Sequence, residues 1–174
     1  MSSANLFRWS GMATIIGGIL LPTSWILRFI FSVSRSYTGT IEFVATILLV
    51  FGFMGVYGFQ HKQCGVLGFL GFVLYIIHSC AALGECWLQN GELTGAAVVL
   101  APIVGVTMLL GFILLGIGSW QANMLPHWAI VLWVIGGLLI VPGFALQPIL
   151  VVIGGMIQGI GVVAAGVTLW MGKY

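Results

Sequence analysis

Charged side chains are almost absent from this 174-residue chain, and their scarcity constrains its fold more than any other feature. The sequence has five lysines or arginines and three glutamates, so charged residues make up 5% and hydrophobic residues 61%. A soluble domain of this size would carry roughly forty charged residues, because about 25% of the residues in such domains are charged. Disorder is also excluded, since disordered chains are poor in apolar residues. The composition therefore predicts an integral membrane protein with almost no mass outside the bilayer.

Six stretches of the chain are apolar and long enough to cross a membrane as helices, which requires about 20 residues each. Short polar segments separate most of them, and prolines mark the limits of the last two. Alternating strand patterns are missing, so helices are the expected way to satisfy the backbone in lipid. We predict a single all-α domain over residues 1–174, a bundle of six transmembrane helices without a soluble domain, with spans at residues 9–31, 41–59, 64–86, 94–120, 126–144 and 148–171.

The distribution of basic residues gives a prediction of orientation. Loops this short make neighbouring helices antiparallel, so six spans place both termini on one side of the membrane. That side carries Arg8, Lys62 and Lys173, and the other carries Arg28 and Arg35. The small excess of basic residues favours a cytoplasmic location for both termini. We therefore predict a protein of the cell (inner) membrane or of an internal bacterial membrane.

Glycine is about twice as frequent as in an average protein, with 26 in the chain against a usual share of roughly 7%. In lipid, helices associate through close backbone approach at small residues. Packing within one bundle is the simpler interpretation of these glycines. The alternative is that the GxxxG motif of span 6 faces outward and contacts another subunit. The glycines predicted to pack helices together lie in spans 2, 3 and 6: Gly52, Gly55, Gly58, Gly65, Gly68, Gly71, Gly155 and Gly159.

Span 3 carries the polar residues that most resemble a functional site. Tyr75, His78 and Glu85 share one helical seam with several small residues, and this face is expected to point into the bundle. Arg28 at the end of span 1 and Glu42 at the start of span 2 should lie at a depth similar to that of Glu85. Polar residues inside a membrane are costly and so become candidates for function. We predict a polar cluster in which Arg28 pairs with Glu42 or Glu85.

Simpler interpretations exist for each of these residues. Arg28 and Glu42 can snorkel to the lipid headgroups, and Glu85 is close enough to the end of its span to lie in water. His78 has three possible roles: proton relay, ligand of a haem or pigment, or hydrogen-bonded packing residue. Gln158, near the middle of span 6, is a lone amide for which an interhelical partner is the first expectation and ligand contact the second.

The sequence lacks the usual signatures of catalysis and metal binding. It contains no aspartate, no phosphate-binding loop and no HExxH, GxSxG or CxxC motif. Its three cysteines have no metal-type spacing, and a net charge of +2 is too small to indicate nucleic acid binding. We therefore predict no catalytic residue, no metal site and no nucleic-acid partner, and regard an enzymatic activity as the less favoured class.

Two functional hypotheses remain from the sequence. The first is a non-enzymatic small membrane protein that serves as an accessory or structural subunit of a larger membrane assembly, with a lipid-soluble ligand such as a quinone, a lipid or a pigment near the span 3 seam. Its partners would be the lipid bilayer and other membrane subunits or further copies of the chain. The alternative is a small-solute or ion transporter or channel that uses the polar cluster. A carrier requires a cavity that reaches from this cluster towards Gln158.

Overall fold

The computed structural model describes the backbone of residues 3–88 and 94–172, and the side chains of residues 5–86 and 102–172. Within these ranges the chain forms six α-helices and no strand. All six are long and apolar enough to cross a membrane. The predicted all-α bundle of six spanning helices is thus confirmed. The helices are α1 (Ser3–Phe29), α2 (Arg35–Gln60), α3 (Gly65–Leu88), α4 (Thr94–Ala122), α5 (His127–Leu146) and α6 (Pro148–Met171).

Several helix boundaries differ from those predicted, and α1 begins at Ser3 instead of residue 9. Helix α2 begins at Arg35, well before the predicted start at residue 41. The hydroxyl groups of its polar first turns find their hydrogen-bond acceptors within the helix, as Thr40 Oγ1 does by donating to Ser36 O at 3.0 Å. Helix α5 continues through Pro142 to Leu146. A proline removes only one backbone donor, and a packed membrane bundle tolerates that loss.

The helices form a closed ring in which each helix packs against its neighbours in sequence and α6 packs against α1. The contacts of α1 with α2, α1 with α6, α5 with α6 and α3 with α4 are extensive, whereas those of α2 with α3 and α4 with α5 are much smaller. Gly11, near the start of α1, meets the backbone of Gly166 and Trp170, near the end of α6. The start of α1 and the end of α6 therefore lie at the same end of the ring, which we call the terminal end. The other end is called the opposite end.

Most of the glycines named from the sequence lie where two helices approach closely. Gly52 and Gly55 of α2 face Thr14 and Ser10 of α1, and Gly159 of α6 lies 2.7 Å from the carbonyl oxygen of Gly18, measured from the position of an added β-carbon. In the same way Gly155 lies against the ring of Trp25, Gly68 against Cys64 and Gly118, and Gly71 against the backbone of Leu115. The GxxxG motif of α6 thus faces α1.

Gly58 and Gly65 are different. An added β-carbon at Gly58 would make only an ordinary contact, at 3.6 Å from Phe7 Cε1. Gly65 begins α3 with φ +60, a left-handed conformation that glycine adopts without strain. Gly65 therefore serves the turn between α2 and α3 more than the packing of the helices.

Candidate functional site

A cavity of about 440 Å³ lies inside the ring, in the half towards the opposite end. Residues from all six described helices line it, and most of its surface is apolar. Cavities that hold small organic ligands commonly measure about 300–1,000 Å³ and combine apolar walls with a few polar groups. The charged and polar residues predicted from the sequence come together in its lining: Arg28, Glu42, Tyr75, His78, Glu85 and Gln158, joined by Arg35.

An aromatic cluster forms the floor of the cavity. Phe53, Tyr75 and Phe112 line the cavity, and Trp133 packs behind them. The ring centroid of Phe53 lies 4.4 Å from that of Tyr75, 6.0 Å from that of Phe112 and 5.5 Å from that of Trp133. Phe53 is 1% exposed and Trp133 is fully buried. These four side chains separate the cavity from the terminal end of the ring.

Beyond this floor, one buried hydrogen bond links α2 to α4. The Nε2 atom of Gln60 donates to Ser119 Oγ at 2.6 Å, and both residues are fully buried. The Oε1 atom of Gln60 has no hydrogen-bond partner in the described part of the chain. This hydrogen bond therefore joins α2 to α4 near the terminal end, where the chain turns from α2 into α3.

Charged side chains surround the mouth of the cavity at the opposite end. Arg35 Nη2 lies 4.0 Å from Glu85 Oε1, so an ion pair joins α2 to α3. Ser24 Oγ donates to Glu42 Oε1 at 3.4 Å, and the guanidinium of Arg28 lies 5.0 Å from the ring centroid of Phe29. Arg35 was not predicted as part of the cluster, and it reaches Glu85 because the early start of α2 places Arg35 on a helix at the mouth. The pairing of Arg28 with Glu42 or Glu85 stays a prediction, and these three residues line the same cavity.

Two polar residues present unsatisfied groups to the interior of the cavity. His78 Nδ1 lies 3.0 Å from the carbonyl oxygen of Val104, and a carbonyl only accepts hydrogen bonds. Nδ1 therefore carries the proton in the neutral ring, and Nε2 is left as an acceptor. Gln158 is 5% exposed, lines the cavity and makes no side-chain hydrogen bond among the described residues. Its amide faces the cavity and lacks the interhelical partner that was the first expectation.

The other two histidines lie at connections on the terminal end. His61 Nδ1 lies 2.7 Å from the carbonyl oxygen of Gly58, and the ring of His127 stacks on Trp120 with the centroids 4.1 Å apart. Among the described residues, no three His, Cys, Asp or Glu side chains converge as a metal site would require. A haem or pigment in the cavity would therefore have Nε2 of His78 as its histidine ligand. Lys173, used in predicting the orientation, lies outside the described residues.

No protein-family model matches the chain, and neither a curated protein nor a solved structure matches it. The chemistry of the site therefore has to be inferred from its own residues.

Proposed function

We propose that this small membrane protein is not an enzyme and that it binds one lipid-soluble amphipathic molecule in the central cavity. The observation that carries this proposal is the lining itself, which combines apolar walls from six helices with isolated polar groups at two depths. An apolar cavity with a few convergent polar groups is the usual form of a small-molecule site. Among the candidates from the sequence, a quinone, a lipid or a pigment, the polar groups favour a quinone or quinol.

The hydrogen-bonding capacity of the deep polar groups supports this ligand class. The amide of Gln158 can donate to a ring carbonyl or accept from a hydroxyl. Nε2 of His78 can accept a hydrogen bond from a hydroxyl of the reduced ring. The flat ring would rest on the aromatic floor of Phe53 and Phe112, because aromatic rings attract each other at centroid separations of 4.5–7 Å. The apolar part of the ligand would contact walls such as Leu49 and Ile140.

Mass spectrometry of the purified protein tests this proposal. The full chain is purified in mild detergent, and organic extracts are compared with those of the surrounding membrane. We expect one amphipathic compound to be enriched in near-stoichiometric amount. Replacing Gln158 with leucine should weaken binding about tenfold, because a buried hydrogen bond to the ligand is lost. The matched control is Met156→Leu, on the exposed side of the same helix. Extracts with no enrichment over bulk lipid would overturn the proposal.

Transport of a small solute or ion is the second candidate. One observation favours it, namely that a single cavity extends from the charged mouth to Gln158. The walls between these points are mostly apolar, however, and would offer few ligands to an ion stripped of its water. The lining therefore supports an amphipathic ligand more strongly than a hydrated solute. Flux of a solute into proteoliposomes containing the purified chain would decide in favour of transport.

Membership of a larger membrane assembly, as an accessory subunit, remains a prediction. The glycine contacts of α6 do not support it, because Gly155 and Gly159 are buried against α1. Purification from native membrane in mild detergent tests it directly. Subunits that co-purify in a fixed ratio would support the prediction, and a homogeneous preparation of this chain alone would oppose it.

A further inference from the structure

The six helices divide into two units that are each held together by backbone contacts. The first, the hairpin, consists of α3 and α4, and the second, the four-helix unit, consists of α1, α2, α5 and α6. Within the hairpin, Gly71 meets the backbone of Leu115, and Gly118 meets that of Gly68. Within the four-helix unit, glycines meet the backbone of a neighbouring helix at Gly11, Gly52, Gly136, Gly154, Gly159, Gly161 and Gly166.

The boundary between the two units is built differently. Where a described glycine of one unit faces the described residues of the other, an added β-carbon would meet only side chains. These contacts are Gly116 with Val134 Cγ2 at 2.6 Å, Gly137 with Phe112 Cδ2 at 3.4 Å and Gly105 with Val141 Cγ1 at 3.7 Å. Side chains can change rotamer, whereas interlocked backbones cannot slide past each other. The hairpin can therefore move relative to the four-helix unit while each unit keeps its internal packing.

Both connections between the units lie at the terminal end. The chain crosses from α2 to α3 through residues 61–64 and from α4 to α5 through residues 123–126. Each connection has a residue with a left-handed backbone conformation at one end. These residues are Gly65, with φ +60, after the first connection and Asn123, with φ +55, at the start of the second. The Gln60–Ser119 hydrogen bond and the aromatic floor join the units at this same side of the cavity. These features define a pivot at the terminal end.

At the opposite end the Arg35–Glu85 ion pair bridges the units across the mouth of the cavity. Arg35 belongs to the four-helix unit and Glu85 to the hairpin, and their side chains are 41% and 24% exposed. A partly exposed ion pair at this distance contributes little to stability, so it can open and close readily. Two further polar contacts of cavity-lining residues each lie within one unit: Ser24 with Glu42 in the four-helix unit, and His78 with Val104 in the hairpin.

We propose that the hairpin is a gate through which the cavity exchanges its ligand at the opposite end of the ring. The hairpin swings about the terminal-end pivot, and the Arg35–Glu85 pair latches it shut. The identity of the exchanged molecule rests on the proposed function. The movement of the hairpin is inferred from the helix contacts alone and does not depend on which molecule is bound. Exchange occurs on one side of the membrane only, because the floor and the pivot keep the terminal end closed.

Two native cysteines make the movement measurable without any ligand. Cys86 lines the cavity beside the mouth, whereas Cys64 is fully buried at the pivot. The third, Cys80, is exposed and is replaced by alanine in all proteins of the test. The probe is a membrane-impermeant maleimide added to the full chain in proteoliposomes. Mass spectrometry of the labelled peptides gives separate rates for Cys86 and Cys64.

Removing the Arg35–Glu85 ion pair should expose Cys86 to the maleimide and leave Cys64 protected from it. We expect Arg35→Gln to raise the labelling rate of Cys86 about two- to fivefold, in line with the small energy of such a pair. The charge exchange Arg35→Glu with Glu85→Arg should return the rate to that of the parent, which controls for local charge effects on the thiol. An unchanged rate for Cys86, or an equal increase at Cys64, would overturn the gate. A protein that binds no quinone-like compound but gives the expected labelling would refute the proposed ligand and retain the gate.

Discussion

Replacing Gly71 with isoleucine should force α3 away from α4 and lower the thermal stability of the protein strongly. A β-carbon at this position would overlap the backbone of Leu115 and lie 2.7 Å from the carbonyl carbon of Leu114. Backbone atoms of a packed helix cannot move aside as a flexible side chain can, so the cost should reach the upper part of the range for overpacking, about 3 kcal/mol. Thermal unfolding in detergent, followed by tryptophan fluorescence, should show a midpoint about 10 °C lower.

The matched control for this substitution is Gly84→Ala in the same helix. Outside its own helix turn, no atom of the described residues lies within 4 Å of an added β-carbon at Gly84. Alanine is also the better helix former, by up to about 1 kcal/mol, so the control should melt at or slightly above the parent temperature. The close approach of α3 and α4 would be contradicted if Gly71→Ile melted together with Gly84→Ala.

Truncating Phe53 to alanine should remove the centre of the aromatic floor. The ring is 1% exposed and touches Tyr75, Phe112 and Trp133, which belong to three different helices. Deleting such a side chain from a packed interior costs about 3–5 kcal/mol, because the neighbours collapse only partly into the void. We expect a lowered melting midpoint, and a larger cavity should remain in the folded protein.

Phe51 provides the comparison for Phe53, since it lies on the same helix and is 39% exposed. Its ring contacts lipid whether or not the helices are assembled, so Phe51→Ala should change the midpoint little. The two variants carry the same substitution in the same helix at nearly the same depth. They differ only in the direction of the side chain that is removed. Equal melting midpoints for the two variants would show that the Phe53 ring is not enclosed by the other aromatic side chains of the floor.

The fold was predictable from the sequence because lipid imposes one dominant rule, that a spanning segment must be apolar, helical and about 20 residues long. Polar and proline-marked segments then fixed the number and limits of the helices closely. The start of α2 was not predictable in the same way. A hydropathy span marks only the apolar part of a helix, and α2 continues beyond it into the polar region, where hydroxyl side chains such as Thr40 bond to carbonyls of the same helix. That extension places Arg35 within reach of Glu85.

The depth of the site residues was predictable throughout, whereas their direction was predictable only in part. Assigning spans placed Arg28, Glu42 and Glu85 at one level, and the structure places all three around the mouth of one cavity. Hydropathy cannot tell Phe51 from Phe53, however, because lipid and protein interior are equally apolar. For Gln158, its position near the middle of span 6 was known from the sequence, but a partner on another helix and contact with a ligand both remained possible. Two patterns did carry information about direction: the glycine spacing, since close backbone contacts mark the buried face, and the polar seam of span 3.

The closed ring also imposes an order on the biosynthesis of the protein. Helix α1 emerges first, and one of its two glycine-mediated faces, carrying Gly11 and Gly18, is covered by α6. Helix α6 leaves the ribosome only after the four helices between them. Until then that face of α1 must contact lipid or an insertion factor of the membrane. The joining of α6 to α1 therefore comes late in assembly and completes the wall of the cavity at Gly155, Gln158 and Gly159.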